Sequence, residues 1–228
     1  MTFVDTIAFQ LFTIAFVAVL LFYAGISTYW EYLKRGFREA YKLMRAQAVV
    51  LSAIGIVILI IGFWGEFVWP ISTIVNGANI LGAYDILFYD PYIMMGMALL
   101  GFSACVMLRL ATKYAGLFAL MVGALSIYYG TNAYSLGLTK EPSIMLLLYV
   151  AFGITGIFSF PFTLFIDRII MEPLQGESTG NLTQTPVTRF WKLALACFVI
   201  FLMFSAISAI LAIFIGGGAL APHLASPP

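Results

Sequence analysis

Six long apolar segments dominate the chain, and shorter polar or glycine-containing connections separate them. A bilayer hydrocarbon core of about 30 Å is crossed by about 20 helical residues, because each residue rises 1.5 Å along the helix axis. We therefore expect an all-α integral membrane bundle of six transmembrane helices. The predicted spans are Ile7 to Tyr29, Ala46 to Trp69, Pro91 to Leu110, Tyr114 to Gly137, Ser143 to Ile166 and Leu193 to Ile215.

Basic residues lie almost entirely on one side of these spans. Ten of the eleven Lys and Arg residues fall in or beside the connections after spans 1, 3 and 5, and only Lys140 falls on the other side. Because Lys and Arg near span ends are retained in the cytoplasm, this distribution predicts a multi-pass protein of the cell membrane with both termini outside. Residues 1–215 are predicted to form one transmembrane domain, and the Gly- and Pro-rich residues 216–228 a flexible tail.

The composition excludes several classes of function. Hydrophobic residues make up 63% of the chain and charged residues 9%, which is typical of a membrane protein, and a net charge of +1 gives no basis for nucleic-acid binding. Two cysteines, Cys105 and Cys197, and a single His223 are too few for a structural zinc site. The run Met94 to Met97 is better interpreted as core packing than as a copper site. No metal or cofactor site is identified.

Two rows of small residues predict close helix packing. Residues spaced by seven lie on nearly the same face of a helix, and small residues there let two helix backbones approach closely in lipid. The alternative interpretation is that such glycines line a pore. The rows are Gly116, Gly123, Gly130 and Gly137 in span 4, and Ala48, Gly55 and Gly62 in span 2.

Polar side chains gather at the predicted outer ends of the spans. Glu66 lies between two tryptophans at headgroup depth, and Asp90 is suited to the N-cap of a helix with Pro91 in its first turn. These residues could line a polar pocket at the outer mouth, although an aromatic belt with ordinary helix caps explains them as well. The candidate pocket comprises Glu66, Asp85, Tyr89, Asp90, Tyr92, Asn132, Tyr134, Lys140 and Glu141.

The outer connection from Pro70 to Asp90 is unusually apolar for an exposed segment. Exposed apolar patches of this kind mark contacts, so we expect it to lie on the membrane, on the bundle or against another protein.

Two quoted stretches carry a resemblance to a known family. Asn79-Ile-Leu-Gly-Ala-Tyr-Asp-Ile-Leu-Phe-Tyr-Asp-Pro91, with the glycine-bearing span that follows, and Ser135-Leu-Gly-Leu-Thr-Lys-Glu-Pro142 resemble the archaeal and bacterial membrane family called domain of unknown function 981. The resemblance covers roughly residues 1 to 170. It implies a compact multi-spanning domain and supplies no activity or catalytic residues.

Three hypotheses for function follow from these patterns. The first is a non-catalytic accessory or structural subunit that docks to other membrane subunits, or to itself, in a larger assembly such as a respiratory complex. The second is a channel or carrier for a small neutral solute that uses Tyr128, Tyr129, Asn132 and the outer carboxylates. The third is a quinone- or lipid-binding protein with bound lipid between its helices. An enzyme is not expected, because no nucleophile and base pair can be identified.

Overall fold

The computed structural model describes residues 6–68, 72–75, 78–81, 83–139, 141–179 and 189–225. Within this part of the chain, six helices are long and apolar enough to cross a membrane, which confirms the predicted helical membrane architecture. The spanning helices are α1 (Thr6–Arg35), α2 (Phe37–Val68), α3 (Ala83–Met107), α4 (Lys113–Leu136), α5 (Pro142–Ile166) and α7 (Arg189–Ala225); α6 (Glu172–Thr179) is short.

The six spanning helices form a closed ring. Each packs against the next in the chain, from α1 to α5 and then α7, and α7 closes the ring by packing against α1. The most extensive contact is between α4 and α5, followed by that between α2 and α3. This arrangement leaves a central axis bordered by several helices, and buried side chains from α1, α3 and α5 point towards it.

The first helical hairpin turns within a single residue. Gly36 has a φ of +82°, a left-handed conformation that glycine adopts without steric cost, and α2 begins at the next residue. Glu31 and Arg35 form an ion pair at 3.1 Å in the last turn of α1. The turn brings two rows of apolar residues from α1 and α2 into contact below it.

The connection between α2 and α3 differs from the predicted loop. It contains an antiparallel hairpin of β1 (Ser72–Val75) and β2 (Ala78–Leu81), and α3 begins at Ala83. The prediction that Asp90 caps a helix and Pro91 starts it is therefore wrong, because both lie inside α3. The local sequence could not show this, because α3 begins at Ala83 and continues through Pro91.

Two other segments are more helical than expected. The connection after span 5 begins with a π-helical turn, Asp167–Met171, which leads directly into α6. At the other end, α7 continues through Ala225, so the tail predicted from residue 216 is helical as far as that residue. Gly216 lies against Leu11 and Phe12 of α1, and this contact extends the packing of α7 beyond the predicted span.

Candidate functional site

Three cavities lie in series along the axis of the helix ring. We name them by their position: the Gln10 cavity of about 30 Å³, the central cavity of about 100 Å³ and the Gln47 cavity of about 30 Å³. Met95 and Phe152 line both the Gln10 cavity and the central cavity. Four residues line both the central cavity and the Gln47 cavity: Leu21, Phe102, Phe162 and Phe201.

The central cavity is bordered by five of the six spanning helices, and its wall is almost entirely apolar. Small residues of α4 and α5, among them Gly116 and Gly156, open this space because they carry no bulky side chain. Its polar side chains are Thr155, Ser159 and Thr163, and each hydroxyl donates to a carbonyl of its own helix. A solute in this cavity is therefore held by the shape of the wall and by dispersion contacts rather than by strong hydrogen bonds.

Each end cavity contains one glutamine. Gln47 of α2 is fully engaged, since its side-chain nitrogen donates to the Ser27 hydroxyl at 2.8 Å and its oxygen accepts from the Thr28 hydroxyl at 3.0 Å. Gln10 of α1 is buried, with 2% of its surface exposed, and its side-chain nitrogen has no hydrogen-bond partner among the described residues.

Pro91 explains the polar arrangement beside the Gln10 cavity. A proline inside a helix has no N–H to donate to the carbonyl four residues earlier, so Pro91 leaves the carbonyl oxygen of Leu87 without its helical partner. The hydroxyl of Tyr149, from α5, donates to this oxygen. The break in the α3 hydrogen-bond ladder is thus repaired by a neighbouring helix, as occurs in membrane interiors.

A tyrosine binds a carboxylate at the same end of the bundle, which we call the Tyr129 end. The hydroxyl of Tyr129 donates to Asp90 Oδ2 at 2.9 Å, linking α4 to α3. Glu66 of α2 also interacts electrostatically with Tyr129. The hydrogen bond therefore joins α3 and α4 at this end, and Glu66 places a second carboxylate within electrostatic range of the same tyrosine.

The residues of the predicted outer pocket separate into different environments. Asp90 accepts a hydrogen bond from Tyr129 and Glu66 lies within electrostatic range of that tyrosine, whereas Tyr89 and Tyr92 are buried in the core. Asn132 is exposed and donates to the carbonyl of Tyr128 in its own helix, and Tyr134 and Glu141 are also exposed. The side chains of Asp85 and Lys140 lie outside the described residues. The pocket as a whole stays a prediction.

The predicted row of glycines in span 4 lies against α5 for most of its length. A Cβ atom at Gly123 would stand 2.4 Å from the carbonyl oxygen of Gly153, and one at Gly116 would stand 1.9 Å from Thr163 Oγ1. Gly130 likewise faces the Tyr149 side chain. Gly137 differs from these three, because it ends α4 with a φ of +61° and a Cβ atom there would meet no other described residue within 4 Å.

The row in span 2 faces α3. Gly55 lies beside the carbonyl oxygen of Gly96, Gly62 lies beside Ile93, and Ala48 is fully buried. The rows from both spans therefore mediate helix packing, and only Gly116 also borders the central cavity.

The opposite end of the bundle, which we call the Asp167 end, is held by a buried carboxylate. Asp167 Oδ1 accepts from the backbone N–H of Thr112 at 2.6 Å and from its hydroxyl at 2.7 Å, and Oδ2 accepts from the backbone N–H of Lys113 at 2.9 Å. Thr112 is the N-cap and Lys113 the first residue of α4, where the helix dipole also stabilises a negative charge. Asp167 thus caps α4 from the π-helical turn that follows α5.

Sequence reasoning missed both glutamines and Asp167. A signal for the glutamines existed, because Gln10 and Gln47 are the only two glutamines within the predicted spans, and neutral polar side chains in lipid need partners. Asp167 had no local signal, since the helix that it caps begins 54 residues earlier in the chain. Among the described residues, no group of three or more His, Cys, Asp or Glu side chains is placed to hold a metal ion.

Comparison with curated proteins and with solved structures finds no match. The family model described as protein of unknown function (DUF981) matches residues 1–226. The match extends through α7, beyond the first 170 residues in which the resemblance was recognised. The chain, with its ring of six apolar helices, belongs to the DUF981 family.

Proposed function

We propose that the protein is a channel or carrier for a small neutral solute, which moves along the axis of the helix ring. The observation that supports this proposal is the series of three cavities on that axis, with a buried glutamine at each end. A ring of helices packed only for stability has no need of aligned spaces, because filling them would add dispersion contacts.

The lining of the cavities supports an uncharged solute. Among the described residues, no Asp, Glu, Lys, Arg or His side chain lines any of the three cavities. An ion entering this apolar space would lose its hydration without gaining a counter-charge, which is costly at the centre of a membrane. A neutral molecule with one or two hydrogen-bonding groups loses far less.

The size of the central cavity limits the solute further. An apolar cavity of about 150 Å³ holds benzene, so a space of about 100 Å³ suits a smaller molecule. A quinone ring is larger than benzene and does not fit this space as it stands. The geometry therefore favours solute passage over quinone binding.

Movement between the cavities requires side chains to move. Met95 and Phe152 separate the Gln10 cavity from the central cavity, and a group of aromatic side chains separates the central cavity from the Gln47 cavity. Phe162 stacks between Phe198 and Phe201, with ring centroids 5.0 and 4.9 Å away. Hydrophobic constrictions of this type exclude water and ions while they remain closed.

Solute flux into proteoliposomes tests the proposal. The purified protein is reconstituted, and the entry of acetamide, urea and glycerol is followed by light scattering after rapid mixing. We expect at least one solute to enter several times faster than into protein-free vesicles. Ala98→Leu, which places a larger side chain in the wall of the central cavity, should abolish most of this increase. The matched control is Ala104→Leu, on the exposed face of the same helix.

Two results would contradict the proposal. One is the absence of protein-dependent flux for every solute, and the other is an equal loss of flux in both leucine variants. Absence of flux together with migration in a larger assembly on native gels would instead support the second candidate function, a non-catalytic subunit of a membrane complex.

A groove on the lipid-facing surface favours this second candidate. It has a volume of about 390 Å³, lies between α1 and α2, and is lined by Phe9, Phe12, Phe16 and Val57 among others. The three phenylalanines are 37 to 53% exposed on one face of α1. An apolar helix of another membrane protein, with side chains of the same chemistry, is the partner that such a face accommodates.

The proposed orientation in the cell membrane places the Asp167 end in the cytoplasm and both termini outside. It is supported by the basic side chains, most of which lie at that end. We further propose that bilayer lipid occupies the exposed faces of the ring, and that the protein needs no catalytic residue or cofactor for this role.

A further inference from the structure

Gln10 presents an unusual feature for a buried side chain. Its amide nitrogen carries two hydrogens, and neither has a hydrogen-bond partner among the described residues. A buried donor without a partner destabilises a folded protein, and such groups are rare. Gln47, at the other end of the axis, shows the usual case, because its amide is bonded on both sides.

The space beside Gln10 is suited to a missing acceptor. The Gln10 cavity of about 30 Å³ exceeds the space that one water-sized group requires. Its wall is formed by α1, α3 and α5 and is mostly apolar. Tyr149 and Tyr92 also border the cavity. The Tyr149 hydroxyl is already donated to the carbonyl of Leu87, whereas the buried Tyr92 hydroxyl, like the Gln10 amide, has no hydrogen-bond partner among the described residues.

We infer that the Gln10 cavity is a binding site for an uncharged oxygen acceptor, which receives a hydrogen bond from the Gln10 amide. The oxygen belongs either to a small carbonyl or hydroxyl compound or to a water molecule. Because about 30 Å³ holds only the oxygen end of such a compound, in the first case its apolar part extends past Met95 and Phe152 into the central cavity. This inference rests on the proposed function and names the chemical class of its solute.

The absence of charge in the cavity wall excludes an anionic acceptor. A carboxylate or phosphate oxygen would accept the same hydrogen bond, but none of the lining side chains carries a positive charge to compensate for its burial. The glutamine donor therefore selects a neutral oxygen, and the limited volume selects a short molecule.

Nuclear magnetic resonance of the glutamine side chains tests the site. The chain has four glutamines, at positions 10, 47, 175 and 184, so ¹⁵N-labelled side-chain amides give few signals. The Gln10 signal is identified as the one that is lost in Gln10→Met. If that variant fails to fold, substitution of the other three glutamines identifies the Gln10 signal by elimination. Wild-type protein in micelles is then titrated with acetone and, separately, with isobutene, which has a similar shape but lacks the oxygen.

We expect acetone to shift the Gln10 signal while isobutene leaves it unchanged, and the bonded Gln47 signal serves as the internal control. If neither compound shifts the Gln10 signal but its amide protons show cross-relaxation with a bound water, the site is supported with water as its occupant. The absence of both effects overturns the inference. An equal response to acetone and isobutene, or an equal shift of the Gln47 signal, overturns it as well.

The same measurements separate this inference from the proposed function. If the Gln10 signal responds to acetone but the protein transports no solute, the binding site is supported and the transport function is contradicted. If the protein transports a solute but the Gln10 signal responds neither to acetone nor to a bound water, the transport function is supported and the binding site is contradicted.

Discussion

Individual buried polar residues decide how the ends of this bundle are joined. Asp167 is 6% exposed and would be costly to bury as a lone charge, but its two oxygens accept three hydrogen bonds from Thr112 and Lys113. Two of these donors are N–H groups at the start of α4, which have no partners within that helix. One carboxylate therefore stabilises the start of α4 and fixes it to the chain that follows α5.

Replacing this carboxylate by an amide should weaken the Asp167 end. In Asp167→Asn, one acceptor oxygen becomes an NH₂ group, which is placed against an N–H donor of α4. Hydrogen bonds to charged groups contribute about 1.5–3 kcal/mol, so we expect the free energy of unfolding to fall by about 2 kcal/mol. Unfolding in mixed detergent micelles measures it. Glu172→Gln, at an exposed position five residues later, should have little effect, and equal stability of both variants would contradict the capping role.

At the residue scale, the sequence shows which side chains are unusual but not which partners they meet. Gln10 and Gln47 could have been singled out as neutral polar residues within apolar spans. The sequence could not show that Gln47 is hydrogen-bonded while the Gln10 nitrogen is not. Gln47 reaches Ser27 and Thr28 only because the turn at Gly36 brings α1 and α2 together. Asp90 was expected to cap a helix, whereas Tyr129 of another helix provides its partner.

Among the elements, α4 and α5 form the closest pair. Gly123 of α4 meets Gly153 and Gly156 of α5, and the contacts are made by backbone atoms rather than by flexible side chains. Apolar burial supplies little attraction between helices in lipid, so this pair depends on close approach.

A large side chain at the centre of this contact should separate the two helices. In Gly123→Leu, the new Cβ alone would lie 2.4 Å from the Gly153 oxygen and 2.7 Å from the Ile157 nitrogen. Because backbone atoms cannot rotate away, we expect a loss of about 3 kcal/mol or more in the free energy of unfolding. Ala124→Leu, on the exposed side of α4, is the matched control. Unchanged thermal stability of the glycine variant would rule out the close packing described here.

Element positions were largely predictable, because runs of apolar residues long enough to cross a bilayer define all six spans. Their ends were less so. Asp90 followed by Pro91 is typical of a helix start, but α3 continues through both because the Tyr149 hydroxyl compensates for the missing N–H of the proline. The glycine rows indicated which faces of α2 and α4 contact other helices. The contacts of Gly123 with Gly153 and Gly156 could not be predicted, because the sequence does not show which helices are neighbours.

At the scale of the whole molecule, the two ends of the ring differ in charge. Exposed basic side chains at the Asp167 end include Arg35, Lys42, Arg45, Lys113 and Lys192. The Tyr129 end carries the carboxylates of Glu66, Asp90 and Glu141. A bilayer with a negatively charged cytoplasmic surface distinguishes these ends, because each Lys or Arg near that surface contributes about 1 kcal/mol of attraction. The axis of the ring therefore has two different ends, with the Gln10 cavity nearer the Tyr129 end and the Gln47 cavity nearer the Asp167 end.

Cysteine labelling of intact cells should show this direction. The native cysteines are first replaced by alanine at positions 105 and 197, and single cysteines are then introduced as Lys42→Cys and Glu141→Cys, both at exposed positions on opposite ends. A thiol reagent that does not cross membranes should label position 141 in intact cells and position 42 only after the cells are opened. This result follows from cytoplasmic retention of basic residues, and it would place the Gln10 cavity nearer the cell exterior. Labelling of position 42 from outside would reverse the orientation, so that a solute would meet Gln47 first on entry, while the ring and its three cavities would be unaffected.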